Sequence, residues 1–277
     1  MEESYIQSVL RGFEGQAKEK QQQVIVCCVD EDVNKQANAF MQLVDRGIGG
    51  IALWPTIQVD TPPFQIRQLQ DRGVPIVLCH RPVPGAKVPL ITVSYRDIGR
   101  MAGKKMMAQG HRRIAYFASH GSLATQAHLE GLHAVVEPAG GSCPDEFIYT
   151  GTSLHWDISL QEGEIREALQ RMAQHPDPPT AIMCAFDTIC EQLYMILQGM
   201  GYRIPDDISL VGVGDTRRDG AIIRQLSSIT IDAAELGRRT AQTLQEMQTG
   251  MRPLNDDKTE CLPLGFIEGR TLGPPRG

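Results

Sequence analysis

Chemistry in this sequence would have to come from a few residues, and their spacings do not assemble a reaction centre. His128 and His133 lie five apart, about 140° around a helix, so they cannot share a metal as residues four apart do. The seven cysteines contain no Cys-x-x-Cys pair and no His/Cys ligand spacing, which leaves no zinc site to propose. Gly212-Val213-Gly214 follows a strand-like run as a dinucleotide loop would, but Arg217 stands where the third glycine belongs. Gly103-Lys104-Lys105 lacks the upstream glycine and the Ser/Thr of a phosphate-cradling loop. In Gly151-Thr152-Ser153-Leu154-His155 a nucleophile elbow fails at its closing glycine. The sequence asks for no catalysis, cofactor or metal; an enzyme on this scaffold stays only as a rival.

Binding is a different matter. In open α/β sheets ligands sit outside the carboxyl ends of the strands. The residues at those ends are Asp30, Trp54, His80, Arg81, Tyr95, His120, Trp156, Phe186, Asp187, Gly214 and Asp215. Aromatics, histidines and a few carboxylates suit a small polar molecule with an apolar face. Asp187 and Asp215 each precede a helical stretch, so each is read either as a ligand group or as a helix cap. Trp54, followed by Pro55, could wedge its strand end. Trp156, in a loop before a helix, is harder to place in a core.

The elements behind these positions are short apolar runs alternating with amphipathic stretches. The strand candidates are 23–29, 50–54, 75–79, 90–95, 113–119, 146–151, 181–186, 208–214 and 261–268. Most are near-continuous apolar runs, as strands buried on both faces should be. Between them lie helical stretches, one capped by Asp97 and ending at Gly110, others at about 188–201 and 233–250. The alternation predicts an α/β fold with parallel sheets. Two features stand out. A helix at about 2–20 comes with no strand before it, although every helix of a doubly wound sheet is a crossover between strands. The 227–231 run, a long helix and a last strand then exceed what one half needs. A chain of 277 residues holds about two domains of ~100–150 residues, so two lobes visited more than once are expected.

A net charge of -6 argues against a nucleic-acid surface, which needs clustered Lys and Arg. The pairs Arg112-Arg113, Arg217-Arg218 and Arg238-Arg239 read as solvated faces. Cys27, Cys28, Cys79, Cys184 and Cys190 lie in apolar runs and read as buried free thiols of a reducing compartment. The acidic start Met1-Glu2-Glu3 resembles no signal peptide, and the apolar runs are too short to span a membrane. A cytoplasmic protein is expected.

Seven segments together resemble the lactose-repressor family of bacterial transcription regulators: YIQSVLRGFE at 5–14, DRGIGGIALWP at 45–55, GVPIVLCHRP at 73–82, QGHRRIAYF at 109–117, PTAIMCAFD at 179–187, IPDDISLVGVGD at 204–215 and LSSITIDAAELG at 226–237. The resemblance runs the length of the chain. It implies the type I periplasmic-binding-protein fold, two Rossmann-like lobes joined by three crossovers. The lobes would be 1–111 with 231–253, and 112–230 with 254–277. It also implies a ligand gripped in the interlobe cleft, a homodimer, and DNA reached only through a head domain. Family members place a strand, and ahead of it that head, before the Tyr5 helix; neither is expected within these 277 residues. A solute-binding protein of a transporter shares the fold and is the alternative.

The resemblance puts Tyr5 and Trp156 on aromatic ligand positions. Other positions depart from the family: His80 stands where a sugar-contacting Asp is common and His128 where a clamping Arg is expected. Phe186 replaces an Asn, Gly214 an Asp, and Ala233 a ring. A micromolar ligand is held by about 8 kcal/mol, and each buried polar group left unpaired costs about 1–3 kcal/mol. Losing three or four anchors removes most of the affinity for a pyranose. A flatter, more apolar or anionic ligand is expected, contacted by His80, Arg81, His128 and Trp156, with Tyr5, Phe186, Asp187 and Asp215 completing the candidate set. A pocket that has drifted and holds nothing tightly is the competing reading.

Overall fold

The computed structural model describes residues 3–56, 59–151, 162–216, 218 and 220–276. The chain divides into two compact units. The first comprises Ser4–Val93 and Asp232–Pro263, the second Ser94–Ile231 and Leu264–Gly277.

In the first unit the order is α1 (Glu3–Glu19), α2 (Val33–Asp45), β1 (Ile51–Leu53), α3 (Pro63–Gln70), β2 (Ile76–Cys79) and β3 (Leu90–Val93). The chain returns to it later as α8 (Ala233–Gln248) and β9 (Thr259–Leu262). The strands form one parallel sheet in the order β1-β2-β3-β9. Ile51, Leu53, Ile66, Leu69, Ile76 and Leu78 pack into its core. Helices α1 and α8 meet backbone to backbone. A methyl group on Gly12 would strike the Ala234 carbonyl, and one on Gly237 the Val9 carbonyl.

The second unit runs α4 (Tyr95–Ala108), β4 (Ile114–Ala118), α5 (Leu123–Val136), β5 (Ile148–Thr150), α6 (Glu162–Ala173), β6 (Ala181–Cys184), α7 (Asp187–Gly199), β7 (Ser209–Asp215) and β8 (Ser227–Ile231), and ends with β10 (Leu264–Ile267). Its sheet has the order β10-β8-β7-β6-β4-β5. Only β10 runs antiparallel to its neighbour. From β4 the chain steps outward to β5, then back across to β6, so the sheet reverses direction between β4 and β6. In open α/β sheets such a switch point leaves a crevice at the strand carboxyl ends.

The α/β class and the parallel sheets follow the sequence reading, and the structure corrects it in five places. The run expected as one strand at 261–268 is two, β9 and β10, divided by Pro263, which has no N–H to carry a ladder onward. The boundary expected near residue 111 falls at Ser94. Helix α4 belongs to the second unit because paired glycines lock it onto α5, Gly99 against the His128 carbonyl and Gly131 against that of Arg96. Residues 254–263 belong to the first, because β9 pairs with β3. The cap of α4 is Ser94, whose Oγ accepts from the Asp97 N–H at 3.2 Å, while the Asp97 carboxyl is held below its usual range chiefly by its hydrogen bond to Ser94. Finally, 23–29 is not a strand: it is paired with no strand among the described residues and is largely exposed.

The cysteines divide accordingly. Cys79, Cys143, Cys184 and Cys190 are buried free thiols, whereas Cys27, Cys28 and Cys261 are exposed; the apolar run around Cys27 has no neighbour to bury it. No helix among the described residues is long and apolar enough to cross a membrane.

Candidate functional site

In the first unit the strand ends gather an aromatic cluster. Tyr5 comes from the first turn of α1, Trp54 from just past β1, and His80 with Arg81 from just past β2. The Trp54 and His80 rings lie 4.6 Å apart and 33° from parallel. Tyr5 meets Trp54 edge-on at 6.2 Å and His80 at 5.6 Å. The Arg81 guanidinium sits 5.7 Å from the Trp54 ring centre, a cation–π distance, and donates to the Pro55 carbonyl at 3.0 Å. His80 adopts φ +75°, a left-handed conformation that costs a non-glycine residue about 1–3 kcal/mol and tends to mark functional positions. Burial, then the charge of Arg81, holds its imidazole pKa well below the usual value, so it is neutral. Trp54 Nε1 is buried without a hydrogen-bond partner among the described residues. Sequence reasoning placed Tyr5, His80 and Arg81 in the site, and the structure brings them together.

In the second unit two groups form at the strand ends. His128, on α5, is buried with Nδ1 3.0 Å from Tyr116 Oη and its ring edge-on to Tyr95 at 5.9 Å. Burial lowers its pKa to about 4, so the ring is neutral near pH 7. Whichever nitrogen carries the proton, Nε2 is buried and has no partner among the described residues. An orphaned buried polar atom of this kind calls for an unseen partner, water or ligand.

The other group centres on Asp187. It occupies the first turn of α7, one residue past the cap position held by Phe186. The capping reading is therefore displaced for Asp187, and its carboxylate turns inward instead. Ser228 Oγ donates to Asp187 Oδ1 at 2.7 Å, and Arg218 Nη2 lies 3.6 Å from Oδ2. Both charged side chains are nearly fully buried, at 6% and 2% exposed. Arg218 also donates to the Leu226 and Ile223 carbonyls. This carboxylate fits only because Gly212 and Gly214 face it without side chains. Arg218 therefore does not lie on a solvated face as its Arg-Arg pairing suggested. Asp215 closes β7, is buried, and accepts from Thr216 Oγ1 at 3.2 Å; among the described residues no α-helix follows it directly for it to cap. Phe186 is half-buried and caps α7 without a side-chain hydrogen bond. Trp156 lies outside the described residues.

Sequence reasoning missed Tyr116, Arg218 and Ser228. Tyr116 is hidden in an interior strand and Ser228 in another. The available signal was the pair Gly212 and Gly214: glycines two apart on one strand share a face, and open it to something approaching closely.

Two α/β units, each carrying polar and aromatic groups at strand carboxyl ends, place these residues where open α/β sheets bind ligands. The family model described as periplasmic binding protein-like domain matches residues 104–272. The HTH-type transcriptional repressor PurR of Mannheimia succiniciproducens is 22% identical over 88% of this chain and 71% of its own length. The ribose operon repressor of Escherichia coli is 23% identical over 90% and 76%. Among solved structures, a transcriptional regulator LacI from Bacillus cereus superposes with TM-score 0.77 at 20% identity, covering 97% of this chain and 92% of that one. A LacI family regulator from Enterococcus faecium with bound ribose gives 0.76 at 17% identity, covering 98% and 95%. The chain belongs to the periplasmic binding protein-like domain family.

Proposed function

We propose that this chain is the sensing domain of a bacterial transcription regulator, that it binds without turning over a small ligand other than a simple hexose, and that it acts as a cytoplasmic homodimer. The candidate ligand contacts are Tyr5, Trp54, His80 and Arg81 in the first unit, and His128 in the second. Binding shifts a two-state equilibrium only by the ligand's differential affinity for the two states, and DNA is reached through a head domain outside these residues. The observation that carries the choice of ligand is the Asp187 carboxylate. A sugar is clamped by carboxylates that accept from its hydroxyls, but Asp187 is already engaged by Ser228 and Arg218. Beside the Asp215 carboxylate, what remains is aromatic rings, neutral imidazoles and one guanidinium, which suit a planar ligand with hydrogen-bonding atoms at its edge.

A thermal-shift panel of hexoses, pentoses, sugar acids, nucleobases and aromatic acids tests this reading. A ligand at a hundred times its Kd stabilises by about 2.7 kcal/mol, a shift of several degrees. A planar compound is expected to give that shift, and His128→Ala and Trp156→Ala to remove it. A hexose response that survives both substitutions refutes the assignment.

A further inference from the structure

One backbone carbonyl decides which nitrogen of His128 carries the proton. The turn from β4 into α5 reads His120-Gly121-Ser122-Leu123-Ala124-Thr125, and His128 follows one helical turn later. Thr125 and His128, three apart, share a face of α5, and both meet Tyr116 of β4. Tyr116 Oη lies 3.0 Å from His128 Nδ1 and is also hydrogen-bonded to the Thr125 hydroxyl. Thr125 Oγ1 in turn donates to the His120 carbonyl at 3.0 Å. All of these residues belong to the second unit, and Tyr116, Thr125 and His128 are buried.

These donors and acceptors have one complete arrangement. A carbonyl oxygen only accepts, so the Thr125 proton goes to His120. Ser122 Oγ, 3.1 Å from Thr125 Oγ1, must then donate to Thr125, and so must Tyr116, whose single proton is thereby used. Tyr116 is left to accept from His128, which places a proton on Nδ1. Burial keeps the imidazole neutral near pH 7, with a pKa of about 4. A neutral ring carries one proton, so Nε2 carries none. The opposite tautomer would leave the Tyr116–Thr125 contact as two buried oxygens with no proton between them.

We propose that His128 Nε2 is a fixed hydrogen-bond acceptor and selects a ligand that presents an N–H or O–H group to it. The selection rests on the reading of His128 as a ligand contact and adds its polarity. Nε2 is buried and without a partner among the described residues, and a buried lone pair calls for a donor. An arginine here would only donate and would hold a carboxylate. The bare imidazole nitrogen makes the opposite demand. It refuses edges that only accept, such as carboxylates and N-methylated amides, and takes the N–H edge of a planar lactam or imide.

¹⁵N NMR of the full chain labelled at histidine reads the tautomer directly, because protonated and bare ring nitrogens resonate far apart. The His128 signals are those missing from His128→Asn. At pH 7 a protonated Nδ1 and a bare Nε2 are expected, and Tyr116→Phe, which breaks the relay, should move the proton toward Nε2. A protonated Nε2 in the unaltered chain, or a spectrum that Tyr116→Phe leaves unchanged, overturns the proposal whatever the chain binds. Uracil, phthalimide and 2-pyridone, each beside its N-methylated counterpart, then test the selection by Tm and by the His128 Nε2 resonance. The parent compounds are expected to move both and the methylated ones neither. His128→Asn, whose amide keeps the donor to Tyr116 but has no distal acceptor, should bind the parents at least about fivefold more weakly. His128→Gln, whose terminal oxygen reaches the Nε2 position, should recover most of that loss. Equal responses to parent and methylated compounds overturn the selection and leave the binding reading standing. No response of Nε2 to any compound, with the tautomer as expected, overturns the reading of His128 as a ligand contact and the selection with it.

Discussion

The imidazole of His128 gives this fold a pH dependence whose sign and size follow from its burial. The folded-state pKa is about 4, lowered by burial, against the ordinary 6.5 of an exposed imidazole in an unfolded chain. A folded pKa below the unfolded one means that the unfolded chain binds the proton more readily. The contribution is therefore present in full above pH 6.5 and is lost as pH falls toward 4. Linkage puts the loss at about 2 kcal/mol by pH 5 and about 3 kcal/mol by pH 4, at 1.36 kcal/mol per unit. The assay is urea unfolding of the chain and of His128→Gln between pH 7.5 and 4.5. Subtracting the two profiles cancels every titration they share. The variant should be less stable at pH 7.5, since Tyr116 keeps an imperfect partner, and its stability should fall less steeply with acid, closing most of that gap by pH 5. If the two profiles stay parallel over this range, His128 is not buried as a neutral base and the account of the site in the second unit is wrong.

Three further outcomes follow from the packing. Gly99→Ala drives a methyl into the His128 carbonyl and should cost about 1–3 kcal/mol by overpacking, measured by denaturant midpoint; a neutral effect would mean that α4 and α5 do not touch. Arg218→Met leaves the Asp187 carboxylate buried without its cation and should cost about 3–5 kcal/mol, with Asp187→Asn in the same chain recovering much of the loss. Failure of that recovery would show that Arg218 acts through its backbone contacts alone. By contrast, Arg203→Ala removes an exposed pair with Asp207 and should change stability by under about 1 kcal/mol in the same assay.

The sequence by itself determined the α/β class, because the alternation of apolar runs with amphipathic helices leaves few other ways to bury both. It also carried Trp54, His80 and Arg81 to one place, since residues just past parallel strands share an edge whatever their separation along the chain; Tyr5 entered only through the family resemblance. Pattern could not show which lobe a helix joins. Helix α4 follows β3 directly, yet is held by backbone contact through Gly99 and Gly131, and nothing in periodicity distinguishes a contact glycine from a flexible one. Nor could composition tell that Arg218 is buried while Arg203, just as basic, stays exposed. A guanidinium goes inside only where a carboxylate and carbonyls meet it, and those partners, Asp187, Ile223 and Leu226, converge through the tertiary fold. The run at 23–29 marks the same limit from the other side: its residues specify a buried strand, but burial needs neighbours, and those the three-dimensional arrangement alone supplies or withholds.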